Sequence, residues 1–415
     1  MRILIVSCVF PPEPVVSGRT SADLAEALSG RGHDVTVVTA FPSRPAGRRY
    51  SGYRRHLFQR SRNASGYEVV RCFSFFSPRS SLFSRFLENI SFGMTGAWTV
   101  LTAARPDVIY ANTWPIVATG LLSGVARYRR IPLIVNVQDV YPESLLAQKR
   151  LNANGILARG MRRIDRLIVR QCKAVLVISR QFETLYREDR GVPAERLHYI
   201  PNWLDEKYVA INPDHVSAFR AAKGIPPSAF LCVYGGNIGT AAGVETLIDA
   251  FGCLRHRDLC YLLIAGAGSQ LEACRQRAVA INNPRVLFHS PWPAAETSLV
   301  LGAADLLVLP TRGQQAQASV PSKLIAYLLA GRPVLALAPA ETELADLVIA
   351  GGGWIVPPEK PDELALVIEN MLTMDKLLLT QRSSQGRNYA LMHLTRAVVL
   401  PTVVACVEKA GKTRL

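Results

Sequence analysis

The chain has 415 residues, of which 49% are hydrophobic and 19% charged, so an intrinsically disordered protein is excluded and about two domains are expected. Its formal net charge of +16 is concentrated in residues 1–205, which hold 29 Lys and Arg against 15 Asp and Glu, while residues 206–415 hold 19 against 17. This asymmetry predicts an anionic partner for the first half: phospholipid, nucleic acid or a phosphorylated substrate. A generally Arg-rich composition without a special partner is the alternative.

The eight cysteines form no Cys-x-x-Cys pair, and the seven histidines form no metal-binding pattern with them. Several cysteines lie inside apolar strands, which is typical of reduced, buried thiols rather than of disulfides. We therefore expect no metal site and no resident cofactor.

The opening segment, MRILIVSCVFPPEP, has an apolar run of only about eight residues and no small-residue cleavage site, so it predicts a buried strand rather than a signal peptide. The other apolar stretches are too short to span a bilayer. The expected location is cytoplasmic and at most peripheral, at the inner face of the plasma membrane.

The first elements in chain order are a strand at residues 3–7, a Pro/Gly loop at 10–18, a helix at 20–28 and a strand at 35–39. They predict a βαβ unit. Gly18 stands where the backbone must pass close to a ligand or to the sheet, and a simple turn residue is the alternative. No acid follows the second strand, which ends in Thr39-Ala40-Phe41, so a dinucleotide-binding unit fits poorly.

A basic and aromatic region comes next, in residues 44–98. Basic side chains beside exposed aromatic rings are typical of contact with an anionic membrane surface or a polyprenyl diphosphate. The alternative is a partly buried helix with a solvated loop. The residues predicted to face the acceptor or the membrane are Arg48, Arg49, Arg54, Arg55, Phe75, Phe76 and Phe83.

Two carboxylates, Asp139 and Glu143, follow the predicted strand 133–137. Carboxylates at the carboxyl end of a strand suit hydroxyl recognition or general-base work, so both are candidate catalytic residues. Helix capping is the alternative for both. Further strands are predicted at 69–72, 108–110, 174–178 and 197–200.

A second βα series follows an irregular segment that begins at IPNWLD. Its strands are predicted at 231–234, 261–265, 285–289, 305–309, 333–337 and 353–356. Continuous apolar strands alternating with helices indicate parallel sheets covered on both faces. The fold class is therefore α/β, with two doubly wound Rossmann-like domains whose sheets face each other across a cleft. The predicted domains are residues 1–203 and 204–385, with a tail helix over 386–415 that returns toward the first domain.

The loop after the first strand of the second series reads GGNIGTAAG and leads into a helix. Glycines let the backbone approach a phosphate, and a helix N-terminus supplies unpaired N–H groups. Gly235, Gly236, Asn237 and Gly239 are therefore candidate donor-binding residues. The alternative is a strand–helix turn that needs glycine for steric reasons.

The segment VPSKLIAYLLAGRPV places Pro321, Ser322 and Lys323 at a helix start. A lysine near a helix N-terminus is electrostatically unfavourable unless an anion binds there too. Lys323 is therefore the strongest candidate phosphate contact and a candidate catalytic residue, with a solvent-directed lysine as the alternative.

Taken together, these motifs make the chain resemble the family 4 retaining glycosyltransferases. It looks closest to the bacterial branch that builds O-antigen, capsule and colanic-acid-type polysaccharides. The similar segments run from PPEPVVSGRT through QDVYPES, IPNWLD and YGGNIGTAAGVETL to VPSKLIAYLLAGRPVLA. The resemblance implies a GT-B fold, metal-independent transfer and retention at the anomeric carbon. It also implies that Gly266 and Gly268 lie near the base of the donor nucleotide.

Three positions depart from the family pattern. Asn237 stands where a basic residue is common, Ala242 where a lysine is common, and Ala326 where many members carry a glutamate for the ribose. We expect the charge of the diphosphate to be met instead by Lys323, by backbone amides, and by Arg19 or Arg312.

The predicted function is transfer of a sugar from a UDP- or GDP-linked donor to a glycan on a polyprenyl diphosphate, without a cofactor and without nucleic acid as a partner. A polyanion-binding or nucleic-acid-binding protein without turnover is a second hypothesis, suggested by the isoelectric point of about 9.8, but no nucleic-acid motif supports it. A nucleotide-sugar epimerase of the same fold is a third.

Overall fold

The computed structural model describes residues 1–44, 47–54, 56–78, 81–112, 116–147, 151–313, 316 and 320–412. The chain divides into two compact units. One comprises Met1–Asn202 together with Val399–Leu415, and the other comprises Trp203–Val398.

The first unit is built on an eight-stranded sheet in the order β3-β4-β2-β1-β5-β6-β7-β8. All its described strand pairs are parallel except β3 with β4, which is antiparallel. The strands are β1 (Arg2–Ser7), β2 (Asp34–Ala40), β3 (Phe58–Arg62), β4 (Glu68–Cys72), β5 (Val108–Asn112), β6 (Leu133–Val137), β7 (Ala174–Val177) and β8 (Leu197–Tyr199).

The sequence-based prediction of parallel sheets did not include β3, which adds one antiparallel strand at this edge. All five residues of β3, FQRSR, are exposed, so the strand carries no apolar pattern. It forms through the backbone ladder of a hairpin with β4, which hydropathy does not reveal.

Helices cover both faces of this sheet because its strands are buried almost throughout. They are α1 (Val16–Gly30), α2 (Leu82–Thr102), α3 (Ile116–Tyr128), α4 (Glu143–Ala147), α5 (Ile156–Gln171) and α6 (Arg180–Glu188). A short 3-10 turn, Ala194–Arg196, precedes β8.

The second unit has a parallel six-stranded sheet in the order β11-β10-β9-β12-β13-β14. From β9 the chain adds β10 and β11 on one side, and it then crosses over to add β12, β13 and β14 on the other side. The carboxyl end of β9 is therefore the switch point at which ligands bind in open α/β sheets. The strands are β9 (Phe230–Gly235), β10 (Cys260–Ala265), β11 (Val286–His289), β12 (Leu306–Leu309), β13 (Val334–Leu337) and β14 (Trp354–Val356).

Two apolar layers, one on each face of this sheet, form the core of the second unit. The helices that supply them are α7 (Pro213–Ala222), α8 (Val244–Cys253), α9 (Leu271–Ala280), α10 (Thr297–Gly302), α11 (Lys323–Leu329), α12 (Glu343–Ala350), α13 (Pro361–Leu372) and α14 (Lys376–His393). Short 3-10 turns lie at Glu206–Val209, Thr240–Ala242 and Ala294–Glu296.

The region predicted as the tail holds the end of α14 and all of α15 (Arg396–Lys412). Leu204 pairs with the backbone at the break between these helices, accepting from Arg396 N–H at 3.0 Å and donating to the Leu394 carbonyl at 3.1 Å. Farther along α15, the Glu408 carboxylate accepts from Arg31 at 2.7 Å and contacts His33 at 2.9 Å. The contacts of Leu204 lie within the second unit, whereas those of Glu408 tie the end of the chain to the first unit. Among the described residues, no helix combines the length and apolarity needed to cross a membrane.

Candidate functional site

Two glycine turns meet at the switch point of the second sheet. The turn after β9 donates from Gly236 N–H to the Ala265 carbonyl and from Ile238 N–H to the Ala267 carbonyl, both at 2.9 Å. The turn after β10 thereby joins it into one platform. The predicted donor residues Gly235, Gly236, Asn237, Gly239, Gly266 and Gly268 all lie on this platform.

Close backbone approach explains two of these glycines. Gly266 has φ +142°, and a Cβ there would overlap the carbonyl oxygen of Gly236. A Cβ at Gly268 would overlap the carbonyl oxygen of Ile238. Both positions therefore need glycine so that the backbones of the two turns can pack closely against each other, whether or not a ligand is bound.

Lys323, the first residue of α11, reaches this platform from the opposite side of the strand end. Its Nζ donates to the Tyr234 hydroxyl at 2.6 Å and lies 4.7 Å from the centre of the Tyr234 ring. The side chain crosses Gly236 so closely that a Cβ at Gly236 would overlap it. The structure thus brings Lys323 to the glycine turns, while Pro321 and Ser322 directly precede it in the chain.

The Lys323 ammonium group is a partly buried charge for which the described part of the chain supplies no counter-ion. No carboxylate of the described residues forms an ion pair with it, and burial lowers its pKa to about 8. The helices α8 and α11, which follow the glycine turn and begin at Lys323, both lack a side-chain cap. A desolvated cation at a glycine turn beside a helix start without a capping side chain is an arrangement that suits an anion.

Two tyrosines that the sequence analysis did not identify hold this site in place. Tyr234 accepts from Lys323 and donates to the Asn237 carbonyl at 2.6 Å. Tyr327, one turn after Lys323 on α11, accepts from Gly235 N–H at 2.8 Å and donates to the Gly235 carbonyl at 3.1 Å. Both could have been found in the sequence, since Tyr234 stands near the end of an apolar strand and Tyr327 stands four residues after Lys323.

The second basic candidate, Arg312, lies beside Gly243, the φ +64° residue that begins α8. Its guanidinium pairs with Glu245 at 2.5 Å. Arg19 belongs instead to the first unit, in α1. Gly18 lies there too, and a Cβ at Gly18 would stand 3.2 Å from the Phe10 backbone, so packing against the loop after β1 accounts for this glycine.

Asp139 lies in the first unit, in the loop that follows β6. Its carboxylate accepts from Val140 N–H at 2.9 Å. Burial raises its pKa to about 6, and hydrogen bonds with Val140, Ser144 and Tyr141 oppose that rise. A carboxyl group with this pKa changes its charge near neutral pH, as catalytic and hydroxyl-binding carboxylates often do.

Glu143 is engaged in an ion-pair network. It accepts from Arg190 at 2.7 Å and from Arg162 at 3.3 Å. Arg190, which is only 1% exposed, also donates to Asp165 at 2.8 Å and to the Tyr141 carbonyl at 3.4 Å. These contacts favour a role for Glu143 in holding the Asp139 loop, and its catalytic role stays a prediction.

The predicted acceptor-facing residues are spread over the first unit. Arg48, Arg49 and Arg54 are exposed in the segment between β2 and β3, and Arg55 lies outside the described residues. Phe75 is at the limit of exposure and Phe76 is half-buried, whereas Phe83 on α2 is 70% exposed. None of the described residues in this group belongs to the unit that carries Lys323.

Two family descriptions match the chain. The "Glycosyl transferase 4-like domain" family matches residues 17–203, and "Glycosyl transferases group 1" matches residues 229–374. The chain is also 27% identical over 412 residues to WcaI of Escherichia coli (strain K12), named as a colanic acid biosynthesis glycosyl transferase. That alignment covers 96% of this chain and 98% of WcaI.

Solved structures share the fold over nearly the whole chain. Sucrose-phosphate synthase from Thermosynechococcus elongatus matches with a TM-score of 0.76 and 18% identity, covering 98% of each chain. The HepE protein of Anabaena, solved in complex with UDP, matches with a TM-score of 0.72 and 17% identity, covering 99% of this chain and 100% of HepE.

The glycine platform predicts different stabilities for two alanine variants. Both Gly236→Ala and Gly266→Ala place alanine at positive φ, which costs about 1–3 kcal/mol. Gly266→Ala must also displace backbone, whereas the nearest atoms that Gly236→Ala meets belong to the Lys323 side chain, which can shift more easily than backbone. Thermal unfolding should show a midpoint several degrees lower for Gly266→Ala than for Gly236→Ala. Equal midpoints would contradict the proposed seating of the two turns.

The Arg190 network predicts a large effect from one buried side chain. Arg190→Met leaves the buried Asp165 without its cationic partner and leaves Glu143 with Arg162 alone, so it should lower the free energy of unfolding by about 3–5 kcal/mol. Arg187→Met, on the exposed side of α6, is the control and should change it by less than about 0.5 kcal/mol. Denaturant unfolding measures both, and similar values for the two variants would refute the structural role of Arg190.

Proposed function

Because this chain belongs to the family 4 glycosyltransferases of GT-B fold, we propose that it transfers a sugar from a nucleoside-diphosphate sugar to a lipid-diphosphate-linked glycan. The chain is thus a glycosyltransferase of polysaccharide biosynthesis. The finer proposal is that transfer occurs with retention, without a metal ion, at the cytoplasmic face of the plasma membrane.

The observation that carries this proposal is the Lys323 ammonium group beside the glycine turns, which pairs with no carboxylate of the described residues. Breaking the bond between sugar and phosphate builds negative charge on the departing diphosphate. Fixed positive groups aimed at that charge stabilise the transition state more than the ground state. In this proposal Lys323 and the first N–H groups of α8 are such groups, and the hydrogen bond to Tyr234 fixes the position of the lysine.

Uridine diphosphate is the first donor nucleotide to test, since the HepE protein of the same fold is described in complex with UDP and with UDP-glucose. Guanosine diphosphate is the alternative. In this proposal Gly266 and Gly268 lie near the base, and Gly235, Gly236, Asn237 and Gly239 lie near the phosphates. Ala326 stands where many family members carry a glutamate that binds the ribose, and its methyl group cannot form that hydrogen bond. Backbone groups are therefore proposed to bind the ribose instead.

Asp139 is proposed to bind a sugar hydroxyl. A buried carboxylate that is ionised above pH of about 6 accepts such a hydrogen bond strongly. Glu143 acts through Arg190 by fixing the loop that carries Asp139. Under retention, the leaving phosphate takes the acceptor's proton on the same face, so no separate protein base is required.

The acceptor is proposed to be a glycan on a polyprenyl diphosphate, presented by the membrane to the strongly basic first unit. Arg48, Arg49, Arg54 and Arg55 are proposed to meet its diphosphate, with the aromatic residues Phe75, Phe76 and Phe83 against the lipid. The excess of Lys and Arg in residues 1–205 supports an anionic acceptor of this kind.

Lys323→Met should weaken UDP binding about thirtyfold, because a charge-assisted hydrogen bond is worth about 1.5–3 kcal/mol. The free lysine has a pKa of about 8 and is charged below that pH. The affinity of the wild type should therefore fall as pH rises above 8, and that fall should vanish in Lys323→Met. Calorimetric titration with UDP and GDP measures both effects.

Lys376→Met is the matched control for this titration, since Lys376 is exposed at the start of α14. It should bind as the wild type does at every pH. If Lys323→Met bound UDP and GDP as tightly as the control, the diphosphate would have to lie elsewhere.

Asp139→Asn should remove the acidic limb of the pH–rate profile. The carboxylate of Asp139 is neutral below its pKa of about 6, so wild-type kcat/KM should fall as pH decreases through 6. Asp139→Asn should be roughly tenfold to hundredfold slower with no such limb, while Asp189→Asn keeps the wild-type profile. The assay follows nucleoside diphosphate release with a lipid-linked glycan extract.

The same assay tests metal independence when EDTA is added. Turnover should be unchanged, because Lys323 and backbone N–H groups meet the charge of the diphosphate. Loss of turnover on EDTA, restored by a divalent cation, would contradict this part of the proposal.

A further inference from the structure

The outward face of α5 carries apolar side chains that nothing in the described chain covers. Ile156 is 84% exposed, and Leu157, Ile164 and Leu167 are exposed as well. At about 100° per residue, these four side chains and Gly160 form one stripe along the helix. A continuous row of exposed apolar side chains is unfavourable in water, and such rows mark surfaces that bind a protein or a membrane.

A second stripe, of arginines, runs beside the apolar one. Arg159, Arg163, Arg166 and Arg170 fall within a quarter turn of each other on the helical wheel and are exposed. The one acidic residue of α5, Asp165, lies on the buried face, where it binds Arg190 and Tyr186. The exposed face of this helix is therefore apolar and positive, with no negative charge.

The apolar stripe continues onto the two neighbouring helices. Ile164 lies against Gly120 of α3, at 3.6 Å from the position of a Cβ there. The next residue, Leu121, is exposed and contacts Gly93 of α2, at 2.9 Å from the corresponding position. Beyond it on α2, Trp98 is 58% exposed, and Phe83, Phe86 and Met94 are also exposed.

We propose that this face of α5, α3 and α2 docks the protein on an anionic lipid surface. A basic amphipathic helix that lies in the interface buries its apolar stripe at the headgroup boundary while its arginines bind anionic headgroups. A second copy of the chain fits poorly because the two arginine stripes would repel each other. Nucleic acid fits poorly because it offers nothing to the apolar stripe.

This inference deepens the membrane-linked part of the proposed function and rests on it only for its biological purpose. It also places the main membrane contact on α5 rather than on the loop between β2 and β3. The loop arginines Arg48, Arg49 and Arg54 are exposed, but the described residues around them show no continuous apolar stripe of this kind. The α5 face combines both features that interfacial binding requires.

The test is co-flotation of the full-length chain with vesicles of phosphatidylcholine alone or with phosphatidylglycerol added. Each arginine near an anionic surface contributes about fivefold in affinity. The triple variant Arg159→Gln, Arg163→Gln, Arg170→Gln should therefore bind the anionic vesicles at least tenfold more weakly than the wild type. Ile156→Ser with Leu167→Ser should also reduce binding, and should do so at high salt as well.

The control removes the same charge from the second unit, with Arg255→Gln, Lys360→Gln and Lys376→Gln, all exposed positions. It should float as the wild type does. Wild-type flotation that is equal on neutral and anionic vesicles would overturn the proposal, as would equal flotation of the arginine variant and the control. A change in oligomeric state in the α5 variants with unchanged flotation would identify a second copy instead.

UDP titration of the same variants separates this proposal from the proposed function. The α5 variants should bind UDP as the wild type does, because the glycine turns and Lys323 belong to the other unit. Loss of vesicle binding with intact UDP binding supports the docking face by itself. Loss of UDP binding by Lys323→Met leaves the docking face unaffected.

Discussion

The ammonium group of Lys323 occupies a space that exists only because residue 236 is glycine. Its side chain passes over Gly236, and its Nζ binds Tyr234, which in turn binds the Asn237 carbonyl. Tyr327 fixes Gly235 from the same helix that begins with the lysine. The end of β9, the glycine turn after it and the start of α11 therefore hold one another in position. Together they keep the ammonium group of Lys323 partly desolvated. An anion that enters this site relieves the desolvation cost of that charge.

In the strongly basic first unit, an arginine stabilises carboxylates that are buried or half-buried. Arg190 joins Asp165, Glu143 and the Tyr141 carbonyl, and so connects α5 to the loop that carries Asp139. The same helix turns its arginine stripe outward. One element thus supports the polar loop on its buried face and offers a lipid-binding surface on its exposed face. The charge asymmetry of the sequence has a structural counterpart in this helix.

Local patterns in the sequence predicted much of this. The apolar strands, the glycine turns and the lysine at a helix start are local features, and the structure brings the turns and the lysine together at the carboxyl end of β9. The Arg190 network was not predictable because its partners lie 25 and 47 residues away. β3 was missed because hairpin pairing leaves no trace in hydropathy. The stripe on α5 has a period of 3.6 and was therefore recognisable in the sequence, but only the basic and aromatic region of residues 44–98 was singled out there.

The central claim is that the diphosphate of a nucleotide donor binds to Lys323 at the glycine turns. A crystal structure of the chain with UDP tests it most directly. The account predicts a phosphate oxygen within about 3 Å of Lys323 Nζ, the distance of a charge-assisted hydrogen bond, with the diphosphate over Gly236 and the N-terminus of α8. A diphosphate bound elsewhere, with Lys323 still directed only to Tyr234, would contradict it.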